Sequence, residues 1–183
     1  MTDPTPSVSA YELNHAAEVD MRATFAVMVD NEPGVLHRVV GLFSARGYNI
    51  ESLTVAETDR RAHTSRITIV TRGEEHVLDQ IRAQLEKMVQ VREVIDVSRD
   101  PRGVERELAL VKVKGTGTER VEALRIADIF RAHVIDTTHE SFVFEVTGAP
   151  AKIDQFENLM RPLGLVEMSR TGVLSITRGP EPL

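Results

Sequence analysis

The two halves of this sequence show the same succession of strand-like and helical hydrophobic patterns, and this repeat limits the possible folds. A segment with alternating apolar residues, Thr24 to Asp30, is followed by apolar residues at helical spacing, two β-branched segments, a second helical pattern and a last strand-like segment. The same order begins again at Leu108 and ends around Val173, Leu174 and Ile176. The sequence therefore predicts two tandem βαββαβ units.

Each unit is expected to fold as a ferredoxin-like α+β sandwich, because right-handed crossover connections place both helices on one face of the sheet. The predicted organisation is a disordered N-terminal lead (residues 1–21), a first domain (22–99) and a second domain (104–179), with a turn at Asp100 to Gly103. A unit of roughly 75 residues buries a limited core, so we expect a homodimer that pairs across sheet edges or exposed faces.

The local patterns also predict which residues are buried and where the strands end. The second strand is expected over Tyr48–Ala56 and the charged hairpin loop over Glu57–His63. Gly47 is a plausible left-handed residue at the end of the first helix. The four helices are expected to bury the following residues: Leu36, Val39, Val40 and Phe43; Leu78, Ile81, Leu85 and Met88; Val121, Leu124, Ala127 and Phe130; and Ile153, Phe156, Leu159, Met160 and Leu163.

The composition excludes several function classes. A net charge of −6 disfavours nucleic acid and anionic membranes as partners, and the strand Ser65–Thr71 has no aromatic residue on which RNA bases could stack. The chain has no cysteine, and its six histidines show no ligand spacing, so no metal site is predicted. With no signal-peptide core and no apolar run of about eighteen residues, we expect a cytoplasmic protein without a membrane span.

No catalytic residues are predicted. The sequence offers no nucleophile with a matching base and no paired carboxylates in an apolar setting. Gly115 to Thr118 resembles the start of a phosphate loop, but Arg120 stands where the third glycine would be, which favours a plain strand-to-helix turn. An acylphosphatase-like enzyme, which would share this topology, is the enzymatic alternative.

The segment with most chemical content is Asn31-Glu32-Pro33-Gly34-Val35-Leu36, at the start of the first helix. Free backbone NH groups in a first helical turn can bind a carboxylate, and Gly34 has no Cβ to obstruct its approach. Asn31 adds a donor and an acceptor; the alternative is that Asn31 only caps the helix and Pro33 only starts it. A second amide, Asn49, needs a hydrogen-bond partner if it is buried and is otherwise a turn residue.

Three segments carry a family resemblance: Asn31 to Val55 (NEPGVLHRVVGLFSARGYNIESLTV), Glu105 to Val113 (ERELALVKV) and Ser169 to Gly179 (SRTGVLSITRG). Together they resemble the small regulatory subunit of acetolactate synthase, also called acetohydroxyacid synthase. The D/N-x-P-G-x-L turn is common to many ACT domains, whereas the run GLFSARGYNIESLTV is far more specific. The resemblance implies that the first domain is an ACT domain.

The resemblance also implies a function without catalysis by this chain. It implies a regulatory subunit that binds the large catalytic subunit, activates it and confers feedback inhibition by valine in branched-chain amino-acid biosynthesis. No cofactor is implied for this chain, while thiamine diphosphate, magnesium and FAD are expected on the catalytic partner. A free-standing ACT sensor that regulates another enzyme is the alternative.

Carried over onto this sequence, the resemblance implies an effector site at the interface of two ACT domains. The implied residues are Asn31, Gly34, Val35 and Leu36 from one subunit and Asn49 and Ile50 from the other. A zwitterionic aliphatic amino acid needs donors for its carboxylate, acceptors for its ammonium group and an apolar pocket, and these residue types can supply all three. One methylene is worth only about 1 to 3 kcal/mol, so the sequence does not separate valine from leucine or isoleucine.

Overall fold

The structure, a computed structural model that describes residues 20–59 and 61–180, contains two βαββαβ units in tandem. The predicted fold class is confirmed. Residues 1–19 of the predicted lead lie outside the described residues, and Met21 is the first residue of strand β1. Each unit has its own hydrophobic core.

The first unit is a four-stranded antiparallel sheet with two helices packed on one face. Its elements are β1 (Met21–Asp30), α1 (Val35–Arg46), β2 (Ser52–Asp59), β3 (Thr64–Gly73), α2 (Glu75–Glu86) and β4 (Val91–Asp96). The strand order is β2-β3-β1-β4, and the register of the central pair runs from Asp30 opposite Thr64 to Met21 opposite Gly73. Strand β2 is therefore an edge strand of this sheet.

The core of the first unit follows the predicted alternation in β1, but α1 buries a different stripe. Phe25 and Val27 face the helices, and α1 buries Val35, Val39 and Phe43. The prediction that Leu36 belongs to this stripe was wrong, because its side chain is 41% exposed. The helix begins at Val35, and Leu36 lies about 100° further round its axis, outside the stripe formed by every fourth residue.

The connection between α1 and β2 is longer than predicted, and the hairpin loop is shorter. Gly47 has φ 69° and ends the helix in the left-handed conformation, as predicted. The ring of Tyr48 then packs edge-on against Phe43, with 6.0 Å between ring centroids. Because this contact holds the chain on the core, β2 begins at Ser52 rather than at Tyr48, and it continues through charged residues as far as Asp59.

The second unit repeats the architecture with one additional strand. Its elements are β5 (Gly103–Lys114), α3 (Gly117–Ile129), β6 (His133–Thr137), β7 (Ser141–Gly148), α4 (Pro150–Met160), a 3-10 turn (Arg161–Leu163), β8 (Leu165–Arg170) and β9 (Leu174–Thr177). The strand order is β6-β7-β5-β8, and β9 also pairs with β5. Alternate residues of β5 and β7 supply the sheet side of the second core.

The helices of the second unit correct two of the predicted stripes. Helix α3 buries Ala123, Ile126 and Ala127, whereas Val121 is 51% and Leu124 40% exposed. In α4 the side chain of Leu159 is also 40% exposed. The physical reason in α3 is that apolar residues lie on more than one side of the helix, and the side with small residues packs closest to the sheet.

The predicted closing strand around Val173 and Ile176 was wrong in its role. The strand that completes the four-stranded order is β8, whose Arg170 lies opposite Ala109. The chain then continues along β5 as β9, with Leu174 opposite Arg106. Both strands fit on β5 because it has 12 residues, about twice the predicted length, and residues 171–173 separate them.

Candidate functional site

The segment Asn31 to Leu36 forms an open turn in front of α1. Gly34 is the residue before the helix, with φ 87° and ψ −4°, and no side chain caps the helix start. A Cβ built on Gly34 would meet no atom within 4 Å. Among the described residues, nothing accepts a hydrogen bond from the backbone NH groups of Leu36 and His37, as expected for a first helical turn. These donors are unpaired, and Gly34 carries no side chain that would obstruct an anionic group approaching the helix start.

Asn31 lies beside this turn and does not cap the helix. Its backbone NH donates to the carbonyl of His63 at 2.7 Å, and its side-chain Nδ2 donates to Oε1 of Glu57 at 3.3 Å. The alternative interpretation, in which Asn31 only caps α1, is therefore wrong. The exposed carboxamide keeps its oxygen available as an acceptor.

Asn49 and Ile50 lie in the segment that joins α1 to β2. The backbone carbonyl of Asn49 accepts a hydrogen bond from Thr71 Oγ1 at 2.6 Å, which fixes the main chain there. The side chain of Asn49 is exposed, while Ile50 is partly buried against the first core. The amide therefore points its polar groups outward from a backbone that is held in place.

Within one chain, these two groups of predicted site residues lie at opposite ends of the sheet. Asn31 is bonded to His63, just before β3 begins, whereas Asn49 is bonded to Thr71, near the end of β3. The seven residue steps from Thr64 to Thr71 span about 23 Å at the usual rise of a strand. One chain therefore brings together Asn31, Gly34, Val35 and Leu36 at one end and Asn49 with Ile50 at the other, but does not join the two groups.

A second candidate lies between the two domains and was not predicted from the sequence. A cleft of about 810 Å³ is lined by charged side chains of both units, among them Arg22, Arg72, Arg170, Glu51, Glu105, Glu107 and Asp154. Arg22 Nη1 contacts Glu105 Oε2 at 2.8 Å, and Arg72 Nε contacts Glu51 Oε1 at 2.6 Å. Because these charges pair with one another, the cleft is lined by ion pairs rather than by free binding groups.

The buried member of this cluster is Glu107, which is 5% exposed and bonded to the guanidinium of Arg170. Asp154 contacts the same guanidinium at 2.6 Å. Partial burial by itself lowers the pKa of Arg170, but the hydrogen bonds to the two carboxylates outweigh it and raise that pKa above its ordinary value. In the sequence, Glu107 and Arg170 lie in the charged segments Glu105 to Val113 and Ser169 to Gly179. Their charge alone does not identify which residues form ion pairs.

Over residues 20–59 and 61–180, no three histidine, aspartate or glutamate side chains are grouped so that they could hold a metal ion. None of the helices in the described part of the chain is both long enough and apolar enough to cross a membrane.

Two family models match the chain, one on each domain. The model described as the AHAS small subunit-like ACT domain matches residues 25–93, and the model described as the small subunit of acetolactate synthase matches residues 106–179. The fold and the matched regions therefore define a regulatory protein whose first domain is an ACT domain.

Individual relatives match most of the chain in a single alignment. The probable acetolactate synthase small subunit of Archaeoglobus fulgidus is 44% identical over 159 residues, which cover 87% of this chain and 98% of the relative. The small subunit of acetolactate synthase isozyme 3 from Escherichia coli is 45% identical over 160 residues, covering 87% and 97%. The crystal structure of the Thermotoga maritima small subunit has 34% identity, a TM-score of 0.78 and coverage of 88% and 99%. This chain belongs to the family of acetolactate synthase small subunits.

Proposed function

We propose that this chain binds the large, thiamine-diphosphate-dependent subunit of acetolactate synthase, raises its activity and confers feedback inhibition by valine. The support is the family membership of both domains and the small-subunit names of relatives at 44% and 45% identity. In this proposal thiamine diphosphate, magnesium and FAD are held by the large subunit, and this chain holds only the amino-acid effector. The complex would work in the cytoplasm.

The observation that carries the effector proposal is the open helix start at Gly34. Unpaired NH groups at a helix N-terminus attract a carboxylate, and the absence of a side chain at Gly34 leaves room for it. The exposed carboxamides of Asn31 and Asn49 can accept hydrogen bonds from an ammonium group. These groups match the two charged ends of a free amino acid.

The full site would require two copies of the chain, paired along β2. Asn49 lies just before β2, and Asn31 is bonded to Glu57 near the end of β2. In a two-fold symmetric pair, edge strands that lie side by side run antiparallel. Each Asn31 would then lie near the partner's Asn49. Since β2 is an edge strand, its free backbone groups are available for this pairing.

The apolar part of the pocket would come from Leu36 and Ile50. Leu36 is 41% exposed in the single chain, and Ile50 is partly buried. Covering an aliphatic effector with these two side chains would remove apolar surface from water on both partners. The exposure of Leu36, which contradicted its predicted place in the core, thus suits a residue that is buried only in the dimer.

The test is reconstitution with a large subunit of acetolactate synthase. We expect the purified chain to be a dimer by light scattering, to raise acetolactate formation by the large subunit, and to make that activity sensitive to valine. Parallel titrations with leucine and isoleucine would rank the effectors. Valine binding without any effect on the large subunit would favour a free-standing sensor and refute the proposal, as would a monomer that binds no branched-chain amino acid.

A further inference from the structure

The two domains are joined by a direct contact between β2 and the segment Thr171-Gly172-Val173. Ser52 Oγ accepts a hydrogen bond from the backbone NH of Val173 at 2.9 Å. Thr54 Oγ1 donates to the backbone carbonyl of Val173, also at 2.9 Å. Both polar groups of one peptide residue in the second domain are thus satisfied by two side chains of the first domain.

This contact depends on the residue at position 172 having no side chain. Gly172 has φ 81°, in the left-handed region, and a Cβ added there would lie 2.5 Å from Ser52 Oγ and 3.2 Å from Thr54 Cγ2. The adjacent Val173 is 2% exposed, so its side chain is packed rather than loosely placed. Gly172 therefore allows the second domain to approach β2 closely enough for the two hydrogen bonds to form.

The same strand end leads directly to the proposed effector residues. Ser52 follows Ile50 with only Glu51 between them. The backbone NH of Glu51 donates to the carbonyl of Val70 at 2.8 Å, so this short segment is tied to the sheet. Because Asn49, Ile50, Glu51 and Ser52 are consecutive and the segment is tied to β3 at Asn49 and Glu51, an effector bound at Asn49 and Ile50 would also restrict the position of Ser52.

Glu51 makes a second, parallel connection. Its carboxylate lies 3.8 Å from Arg22 Nε, and Arg22 Nη1 contacts Glu105 of the second domain at 2.8 Å. The exposed fractions of these side chains are between 16% and 32%, so water screens the pairs in part. The two hydrogen bonds to Val173 are short-ranged and directional, which makes them the more sensitive of the two connections to a small displacement.

We infer that the contact of Ser52 with Val173 transmits effector binding from the first domain to the second. The inference rests on the proposed function, because it takes the effector to bind at Asn49 and Ile50. In this scheme Ser52 and Gly172 are positioning residues that touch no effector. An effector that orders Asn49 and Ile50 favours one position of Ser52, and the domain arrangement that satisfies Val173 becomes more populated.

The first experiment compares Ser52→Ala with wild type, both reconstituted with the large subunit. The coupling is measured as the ratio of the valine dissociation constants without and with the large subunit. We expect Ser52→Ala to bind valine alone within twofold of wild type, and to reduce the coupling ratio by about 2- to 12-fold, as for one lost hydrogen bond. Gly172→Ala should reduce the coupling at least as much, because its Cβ separates the same surfaces.

The matched control is Ser98→Ala. Ser98 Oγ accepts a hydrogen bond from the backbone NH of Thr24 at 3.4 Å, so the bond lies wholly within the first domain. The same substitution there should leave the coupling ratio unchanged. If Ser52→Ala keeps the wild-type ratio, or if it removes activation together with inhibition, the inference is overturned, since the contact would then be irrelevant or merely structural.

The second experiment observes the contact directly. Hydrogen exchange of the Val173 amide, followed by NMR in the wild-type dimer, should slow by at least threefold on saturation with valine, because the bond to Ser52 becomes more populated. Unchanged exchange at Val173, in a protein that shows valine binding by calorimetry, overturns the inference alone. Absence of any heat of valine binding refutes the proposed effector function itself, so the two failures are distinguishable.

Discussion

Gly34→Asp is the substitution that most directly tests the proposed carboxylate site. A Cβ added at this position meets no atom within 4 Å, and φ is 87°. The fold should therefore tolerate the change at the cost of backbone strain, about 1 to 2 kcal/mol for a non-glycine residue in the left-handed conformation. The new carboxylate would lie in front of the same NH groups that we expect to bind the effector.

The expected loss of affinity follows from the repulsion of two negative charges. At a separation of about 4 Å and an effective dielectric constant of about 20, the repulsion is roughly 4 kcal/mol. Screening by water and salt lowers this value to roughly 2 kcal/mol at an open site. Valine binding should therefore weaken by about 30- to 1000-fold, while activation of the large subunit persists.

The control is Gly34→Ala, which shares the backbone strain but adds no charge. Urea unfolding should give the two variants similar free energies of unfolding, and valine calorimetry with inhibition assays should separate them. If the aspartate variant binds valine as well as the alanine variant does, no carboxylate binds at this helix start, and the reasoning is refuted.

Three further predictions concern the site, the core and the turn between the domains. Asn49→Ala should weaken valine binding by about 1 to 3 kcal/mol in calorimetry if the amide pairs with the ammonium group, and a change below twofold would make Asn49 a turn residue only. Phe156→Ala should lower the free energy of unfolding in urea by about 3 to 5 kcal/mol, because this buried ring packs on Phe130 and Phe144. The control is Leu159→Ala, which should change the free energy of unfolding by less than about 1 kcal/mol, because the side chain of Leu159 is 40% exposed. Hydrogen bonds from the Arg102 side chain and backbone NH hold the pKa of Asp100 below its ordinary value. These bonds therefore stabilise the turn at neutral pH, and the stabilisation is lost as the pH falls through the lowered pKa. An NMR titration of Asp100 should show the lowered pKa, and Arg102→Gln should reduce the shift.

Local pattern determined the order of the elements and much of the two cores. Phe25 and Val27 lie two residues apart, as expected on one face of a strand, and Val39 and Phe43 lie four apart, as expected on one face of a helix. The left-handed Gly47 was predicted from a local signal as well, because glycine commonly ends a helix in this conformation. The start of α1 next to Gly34 was predicted as well, since a helix start is encoded within one short segment.

Tertiary structure decided what neighbouring residues leave open. Helix α3 has more than one apolar side, and only contact with the sheet selects Ala123 over Val121. Strands β8 and β9 both have strand character, and their roles depend on the length of β5, which pairs with each of them.

The arrangement of the site and of the domains was also beyond the sequence. That Asn31 and Asn49 lie at opposite ends of β3, and that Gly172 meets Ser52, are contacts between residues far apart in the chain. Periodicity reports which face of an element is apolar, because that is set within a few residues. Which elements then lie side by side depends on the free energy of the whole packed chain, and no short segment contains that information.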